Sequence, residues 1–66
     1  MLLEEIRRER KRQGLSQGQL AKSSGLSRYS IINYETGRRD PRVKDLKKIA
    51  KALNVSLVEL IGQEKA

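Results

Sequence analysis

The sequence predicts an all-α domain, a compact bundle of five short helices. Apolar residues recur at helical spacing, most clearly at Leu46, Ile49, Ala50 and Leu53. Serines and glycines stand where such segments begin and end, as helix-capping residues do. The chain has no alternating apolar and polar run of the kind that indicates a strand. With 66 residues, it is expected to form one domain over residues 1–66, close to the lower size limit for a single hydrophobic core.

The first helix is predicted over about residues 2–13. Its inward stripe at helical spacing consists of Leu3, Ile6, Arg10 and Gln13. Arg10 is the one charged member of this stripe. Gly14 supplies the left-handed residue that ends a helix, and the apolar Leu15 follows it.

Two short helices joined by a tight turn form the centre of the chain. The second helix is predicted over 17–24 and the third over 28–36, with Gly25 in the turn between them. Ser16 caps the second helix, and Gln19 three residues later completes a capping box. Ser27 caps the third helix without a matching Glu or Gln.

Two further helices complete the bundle. The fourth is predicted over 42–53, with Pro41 suited to its first position and Val43 at the start of the buried stripe. The fifth is predicted over 57–61, where Ser56 and Glu59 form a second capping box. Residues 63–66 are expected to form a frayed tail.

Composition argues against several classes of protein. The sequence has no cysteine and no histidine, so it lacks the commonest metal ligands and the commonest general base. It also has no Gly-rich phosphate loop and no paired catalytic carboxylates, and we expect neither an enzyme nor a cofactor or metal site. No apolar run approaches the roughly 18 residues of a membrane span, so a cytoplasmic protein without a membrane partner is expected.

The charge balance points towards nucleic acid. Fifteen Lys and Arg residues against eight acidic ones give a net charge of +7, which is the electrostatic signature of a nucleic-acid binder. Charge alone is a weak signal, since other basic domains share it. The third predicted helix provides a second signal for nucleic-acid binding. Ile31 and Tyr34 fall on its inner face, whereas Arg28, Tyr29, Ile32 and Asn33 fall on a face that no core requires.

The residues along this chain resemble a known family. The matching positions are Ser16-Gln17, Leu20-Ala21, Gly25, Ser27, Ile31, Tyr34-Glu35, Gly37, Pro41, Leu46, Ile49-Ala50 and Leu53-Asn54-Val55. This pattern resembles the Cro and phage-repressor type of helix-turn-helix, the XRE family, over about residues 3–61. The resemblance implies a lambda-repressor-like DNA-binding domain that places its third helix in the major groove, commonly as a dimer.

The resemblance implies base contacts from the start of the third helix. Arg28 can bind guanine in bidentate fashion, and Asn33 one turn later can pair with adenine. Tyr29 is a candidate for a sugar, thymine-methyl or phosphate contact. Ile32 departs from the family pattern, which more often has a small or polar residue there, and it is a candidate for thymine methyls. The alternatives are a solvated side chain or a phosphate contact for Arg28, an ordinary surface side chain for Asn33, and loose packing at the helix edge for Ile32.

A second group is expected to bind phosphates. Gln17 matches a family position that binds phosphate, and its amide is also able to brace Arg28. Ser27 serves either as a cap alone or also as a phosphate ligand. The cationic members of the group follow the third helix and are Arg38, Arg39, Arg42 and Lys44. Lys47, Lys48 and Lys51 are interpreted as a solvated face.

Arg10 and Glu35 both lie on stripes that point inward. A charge in that position must find a partner or cost several kcal/mol. We therefore expect a structural ion pair that joins the first helix to the third, as the family resemblance also implies.

The expected function is sequence-specific binding of double-stranded DNA by a prokaryotic-type transcriptional regulator at the nucleoid. A homodimer on a palindromic operator is expected, with Val55, Val58 and Ile61 as candidate dimer contacts because apolar residues are in excess there. The alternatives are an antitoxin or controller that also binds a protein partner, or a protein-interaction module with incidental basic charge.

Overall fold

A computed structural model describes residues 2–57 and 60. Within that part the chain forms four α-helices and no strand: α1 (Leu2–Arg12), α2 (Gln17–Ser24), α3 (Arg28–Thr36) and α4 (Val43–Leu53). The prediction of an all-α fold is thus confirmed. α2 and α3 pack against each other, α2 also packs on α4, and α1 packs against both α3 and α4.

Capping residues determine where α2 begins and where the turn to α3 lies. Ser16 Oγ accepts from the Gln19 N–H at 3.0 Å, and the Gln19 side chain accepts from the Ser16 N–H at 2.8 Å. Gly25 ends α2 with φ of 76°, a left-handed conformation that favours glycine. The following Leu26 N–H donates to the Ala21 carbonyl. These local bonds set the tight turn between α2 and α3.

One hydrophobic core joins all four helices. Its buried members are Ile6, Leu20, Ala21, Ile31, Tyr34, Leu46, Ile49, Ala50, Leu53 and Leu60. Each large aliphatic side chain buried in this way contributes about 1.5–3 kcal/mol relative to an exposed one. The core therefore lies beneath α3 and holds that helix in place.

The beginning of the fourth helix differs from the prediction. α4 begins at Val43, its N-cap is Arg42, and Pro41 precedes the cap instead of occupying the first helical position. No side chain caps this end. Val43, expected in the buried stripe, is 63% exposed. The first turn of α4 extends past the core, so the stripe that packs begins one turn later, at Leu46.

Most of the predicted fifth helix lies outside the described residues, as do Val58, Ile61 and the expected tail at 63–66. Leu57 and Leu60 are helical, and the Leu60 N–H donates to the Ser56 carbonyl at 3.3 Å. Leu60 is buried in the core. The described part therefore contains four complete helices instead of five, and its end still contributes to the core.

Candidate nucleic-acid interface

The open face of α3 contains most of the side chains expected there. Arg28, Tyr29 and Thr36 are exposed, Tyr29 with 68% of its surface, and Ile32 is half-buried. A helical repeat of 3.6 residues puts these four positions on one side of the helix. Ile31 lies outside this arc, towards the core, and is fully buried. α3 thus presents one arginine, one tyrosine, one threonine and part of one isoleucine to solvent.

The expected exposed position of Asn33 is wrong. Asn33 is only 4% exposed and belongs to the buried side of α3. The chain that follows the helix folds back over it, because the N–H groups of Gly37, Arg38 and Arg39 all donate to the Asn33 carbonyl. Asn33 is therefore buried where the chain turns back, and it lies away from the open face.

A buried ion pair joins α1 to α3. Arg10 Nε lies 2.7 Å from Glu35 Oε2, and Arg10 Nη2 lies 2.9 Å from Glu35 Oε1. The two side chains are 9% and 3% exposed. Arg10 Nη1 also donates to the Leu15 carbonyl at 2.8 Å. This is the pairing expected from the inward stripes, and its forked geometry fixes the direction of both side chains.

The Gln17 side chain forms its hydrogen bond with this ion pair, whereas the sequence had suggested Arg28 as its partner. Its Nε2 donates to Glu35 Oε1 at 3.1 Å. The Glu35 carboxylate of α3 therefore accepts hydrogen bonds both from Arg10 of α1 and from Gln17, the first residue of α2. The half-buried Gln17 stands at the amino-terminal end of α2, where a phosphate could approach it.

Tyr34 makes a second connection, to α4. Its hydroxyl donates to Asp45 Oδ2. Burial, the hydrogen bond to Asp45 and the negative charge of Asp45 raise the pKa of Tyr34, while Arg39 and Arg42 act in the opposite direction. Sequence analysis assigned Tyr34 to the inner face but gave its hydroxyl no partner. The spacing from Tyr34 to Asp45 across a loop gives no local signal of this bond.

The Ser27 hydroxyl has a structural role. Its oxygen accepts from the Ser30 N–H at 3.0 Å, and the Ser27 and Ser30 hydroxyl oxygens are also 3.0 Å apart. Ser27 remains exposed at the start of α3. Capping therefore accounts for this serine, and its exposed side leaves the expected phosphate contact sterically open.

Four cations after α3 lie on the surface. Arg38, Arg39, Arg42 and Lys44 are all exposed. The backbone N–H groups of Arg38 and Arg39 donate to the Asn33 carbonyl, whereas Arg42 is the N-cap of α4 and Lys44 lies in its first turn. The structure thus places the expected phosphate-binding cluster next to the carboxyl-terminal end of α3.

The candidate dimer contacts are described only in part. Val55 is half-buried and packs against the core, whereas Val58 and Ile61 lie outside the described residues. Val55 therefore has a structural role within the domain itself.

Sequence analysis missed a cleft where α1 meets the amino-terminal ends of α2 and α3. Its volume is about 560 Å³. The cleft is lined by Arg7, Arg10, Lys11, Ser16, Gln17, Gly18, Arg28, Glu35 and Thr36. The four-residue spacing of Arg7 and Lys11 was the available signal for this cation-rich face of α1.

In the part of the chain that the structure describes, no group of three or more acidic, histidine or cysteine side chains is arranged to hold a metal ion. Among the helices of residues 2–57 and 60, none combines the length and the apolar character needed to cross a bilayer.

Comparison with known proteins finds a matching helix-turn-helix family model and relatives that are transcriptional regulators. The family model described as "Helix-turn-helix" matches residues 6–60. The chain is 38% identical over 60 residues to the cryptic phage CTXphi transcriptional repressor RstR of Vibrio cholerae, covering 91% of this chain and 54% of that protein. The chain spans 39% to 70% of the length of the curated relatives it matches.

Two solved structures have the same architecture. The restriction-modification controller protein C.AhdI from Aeromonas hydrophila matches with a TM-score of 0.87 and 36% identity, covering 89% of each chain. The P22 c2 repressor in complex with a synthetic operator matches with a TM-score of 0.83 and 32% identity, covering 91% of each chain.

Proposed function

The chain belongs to the helix-turn-helix family, and we propose that it is a sequence-specific DNA-binding transcriptional regulator that inserts α3 into the major groove. The observation that carries this proposal is the open face of α3, where Arg28 and Tyr29 stand exposed at the amino-terminal end of a helix anchored on its other side. A B-DNA major groove admits one α-helix and presents a distinct hydrogen-bonding pattern for each base pair. The similarity to a repressor solved with its operator supports the same mode.

The mechanism is positioning followed by readout. α2 crosses the phosphate backbone while the first turn of α3 reaches the base edges. Gln17 and Ser27 contact phosphate on one side of the groove. Arg38, Arg39, Arg42 and Lys44 contact it on the other. These contacts fix the register of the helix but carry no sequence information.

Readout is assigned to three exposed or half-buried side chains. Arg28 forms two hydrogen bonds with guanine O6 and N7. Tyr29 and Ile32 make sugar or thymine-methyl contacts beside it. Asn33 is left out of this group because its 4% exposure keeps it from a base edge. The buried links of Glu35 and Tyr34 hold α3 rigidly, so that these side chains need little reorganisation on binding.

Selection of bound duplexes from a random DNA pool tests the proposal, followed by titration of the selected site at several salt concentrations. The selected site should bind at least roughly 10³-fold more tightly than random sequence. Affinity should fall steeply as the salt concentration rises, because protein binding releases cations condensed on the DNA and added salt opposes that release. Absence of salt-dependent DNA binding would sink the proposal.

A homodimer on a palindromic operator is part of the proposal. Two copies would place their α3 helices roughly 34 Å apart, one turn of DNA. The apolar residues Val55, Val58 and Ile61 are the proposed contacts. Sedimentation equilibrium with and without operator tests the dimer, and a selected site without twofold symmetry would contradict it.

The family and the relatives are transcription regulators, not enzymes. A controller that binds DNA and also a protein partner is the second candidate. The similarity to the restriction-modification controller favours it. Both candidates act where the chromosome is, so a location at the nucleoid belongs to the proposal.

A further inference from the structure

We propose that Arg7 and Lys11 of α1 form an additional DNA-phosphate site, which grips the backbone beside the amino-terminal end of α3. This inference rests on the proposed DNA binding and extends it to a helix that is otherwise structural. The observation behind it is that the exposed cations of α1, which leave out the buried Arg10, fall into two groups with different surroundings.

The first group is neutralised along the helix. Arg8 Nη1 lies 3.1 Å from Glu5 Oε2, and Arg12 Nη2 lies 2.7 Å from Glu9 Oε1. Arg7 and Lys11 form the second group. They are exposed and have no carboxylate within ion-pair distance among residues 2–57 and 60. Their charges are therefore available to a ligand.

The second group lines the cleft together with Arg28. The carboxylate among the lining residues is that of Glu35, and both of its oxygens already accept hydrogen bonds from Arg10, with a third from Gln17. Both carboxylate oxygens of Glu35 are thus engaged by the buried Arg10 and the half-buried Gln17. Three uncompensated cations converge on one open cleft, which makes it a site for anions.

The geometry selects a polyanion over a single small ion. Arg7 and Lys11 are one helical turn apart, a separation of about 6 Å along α1, so their charges can meet neighbouring phosphates of one strand. Gly18 leaves this side of α2 open, since a Cβ there would meet only Ser16 Oγ at 3.9 Å. A phosphate backbone can approach α2 closely at that point.

Arg28 determines which strand is bound. It lies in the same cleft and stands at the start of the helix proposed to enter the groove. The strand that borders the groove at this end of α3 must therefore pass Arg7 and Lys11. These contacts are independent of base sequence, because they reach only the backbone.

The test compares two double variants with identical changes in charge. Arg7→Gln/Lys11→Gln removes the unpaired cations, and Arg8→Gln/Arg12→Gln removes the paired ones from the same two turns of α1. Glutamine keeps a similar helix propensity in both. Affinity is measured by fluorescence anisotropy for a random-sequence duplex and for the selected operator, from about 50 to about 300 mM salt, since log affinity falls linearly with log salt. Urea melts establish that both variants are folded.

We expect the slope of log affinity against log salt to become shallower by about 1.8 in the cleft variant, about 0.9 for each phosphate that is no longer neutralised. The change should be the same for both duplexes, and the control variant should keep most of the wild-type slope. Equal slopes in the two variants would overturn the inference. So would a weakening confined to the operator, since that would make these residues base readers.

Failure of the proposed function has a different signature. Wild-type protein that binds neither duplex removes both proposals together. Wild-type protein that binds its operator specifically, with equal slopes in the two variants, removes only the α1 site. Inorganic phosphate added at the ionic strength of the titration gives a further arm. Competition by phosphate as strong as by an oligonucleotide would also overturn the assignment to a polyanion.

Discussion

The Tyr34 hydroxyl donates to the Asp45 carboxylate and so joins α3 to α4. The next residue along the chain, Glu35, joins α3 to α1 through Arg10. Two adjacent positions of one helix thus connect it to the helices on either side. The open face of α3 is held against the core by polar links as well as by Ile31.

Removal of the tyrosine hydroxyl should destabilise the domain. We expect Tyr34→Phe to lower the free energy of unfolding by about 1.5–3 kcal/mol, as hydrogen bonds to charged groups do. Asp45 is half-exposed, which favours the lower part of that range because water can replace the missing donor. Urea denaturation measures the change. Tyr29→Phe is the matched control and should change stability by less than about 0.5 kcal/mol; equal effects would contradict the assigned bond.

Alkaline pH should weaken the contribution of Tyr34. Its pKa is raised in the folded protein, whereas an unfolded tyrosine titrates near about 10. The folded state therefore holds this proton more tightly. The contribution is complete below about pH 10 and is lost as pH rises through the folded pKa.

The difference in unfolding free energy between wild type and Tyr34→Phe is expected to shrink over that range. Tyrosinate absorbance in the Tyr29→Phe background follows the ionisation of Tyr34 directly. A midpoint at or below the ordinary tyrosine value would show that the direction of the shift is wrong.

The buried ion pair should matter far more than an exposed one. Arg10→Ala is expected to cost about 3–5 kcal/mol, because it leaves the Glu35 carboxylate buried without its main partner. Arg8→Ala breaks an exposed pair on the same helix and should cost at most about 1 kcal/mol. A double-mutant cycle with Glu35→Gln isolates the coupling between the partners. A destabilisation below about 1 kcal/mol for Arg10→Ala would count against the role of this pair.

Arg28 should determine one position of the operator. Arg28→Ala is expected to relax selection at a single base pair and to cost about 1–3 kcal/mol in specific affinity. Arg38→Ala is the comparison, since removal of a phosphate ligand weakens binding to all sequences alike. Selection from a random pool with each variant measures both effects. An unchanged site with Arg28→Ala would remove this residue from the readout.

Asn33 should behave as a structural residue. Because the Asn33 side chain is buried, Asn33→Ala is expected to select the same DNA site as wild type while lowering stability by about 1 kcal/mol. Pool selection and a urea melt on the same preparation make the comparison. A relaxed base position with unchanged stability would restore Asn33 to the base contacts.

Much of the fold follows from local sequence rules. Ser16 with Gln19, Gly25 and Ser27 set the bounds of α2 and α3, because capping and left-handed turns depend on a few neighbouring residues. The Leu46 to Leu53 stripe set the buried side of α4 in the same way. The inward positions of Arg10 and Glu35 were sufficient to predict their contact, since a buried charge requires a partner.

The candidate site was predictable only where exposure follows from the repeat of a single helix. Tyr29 lies far from the inner face of α3 and is exposed as expected. Arg28, three residues before Ile31, stands at the first position of the helix and is exposed as well. Asn33 and Val43 lie at edges, where helical spacing alone does not determine burial. Asn33 is 4% exposed at the point where the chain turns back after α3, and Val43 is 63% exposed in the first turn of α4.

By itself, then, the sequence determined the four described helices, the central residues of their inner faces and a net positive charge suited to DNA. The tertiary structure decided which cations share a surface and which side chains are covered. It placed Arg7, Lys11 and Arg28 along one cleft, and it paired the Gln17 side chain with the Glu35 carboxylate through a hydrogen bond. The physical reason is that caps and periodicity depend on neighbours in the chain, whereas burial and charge clustering depend on neighbours in space.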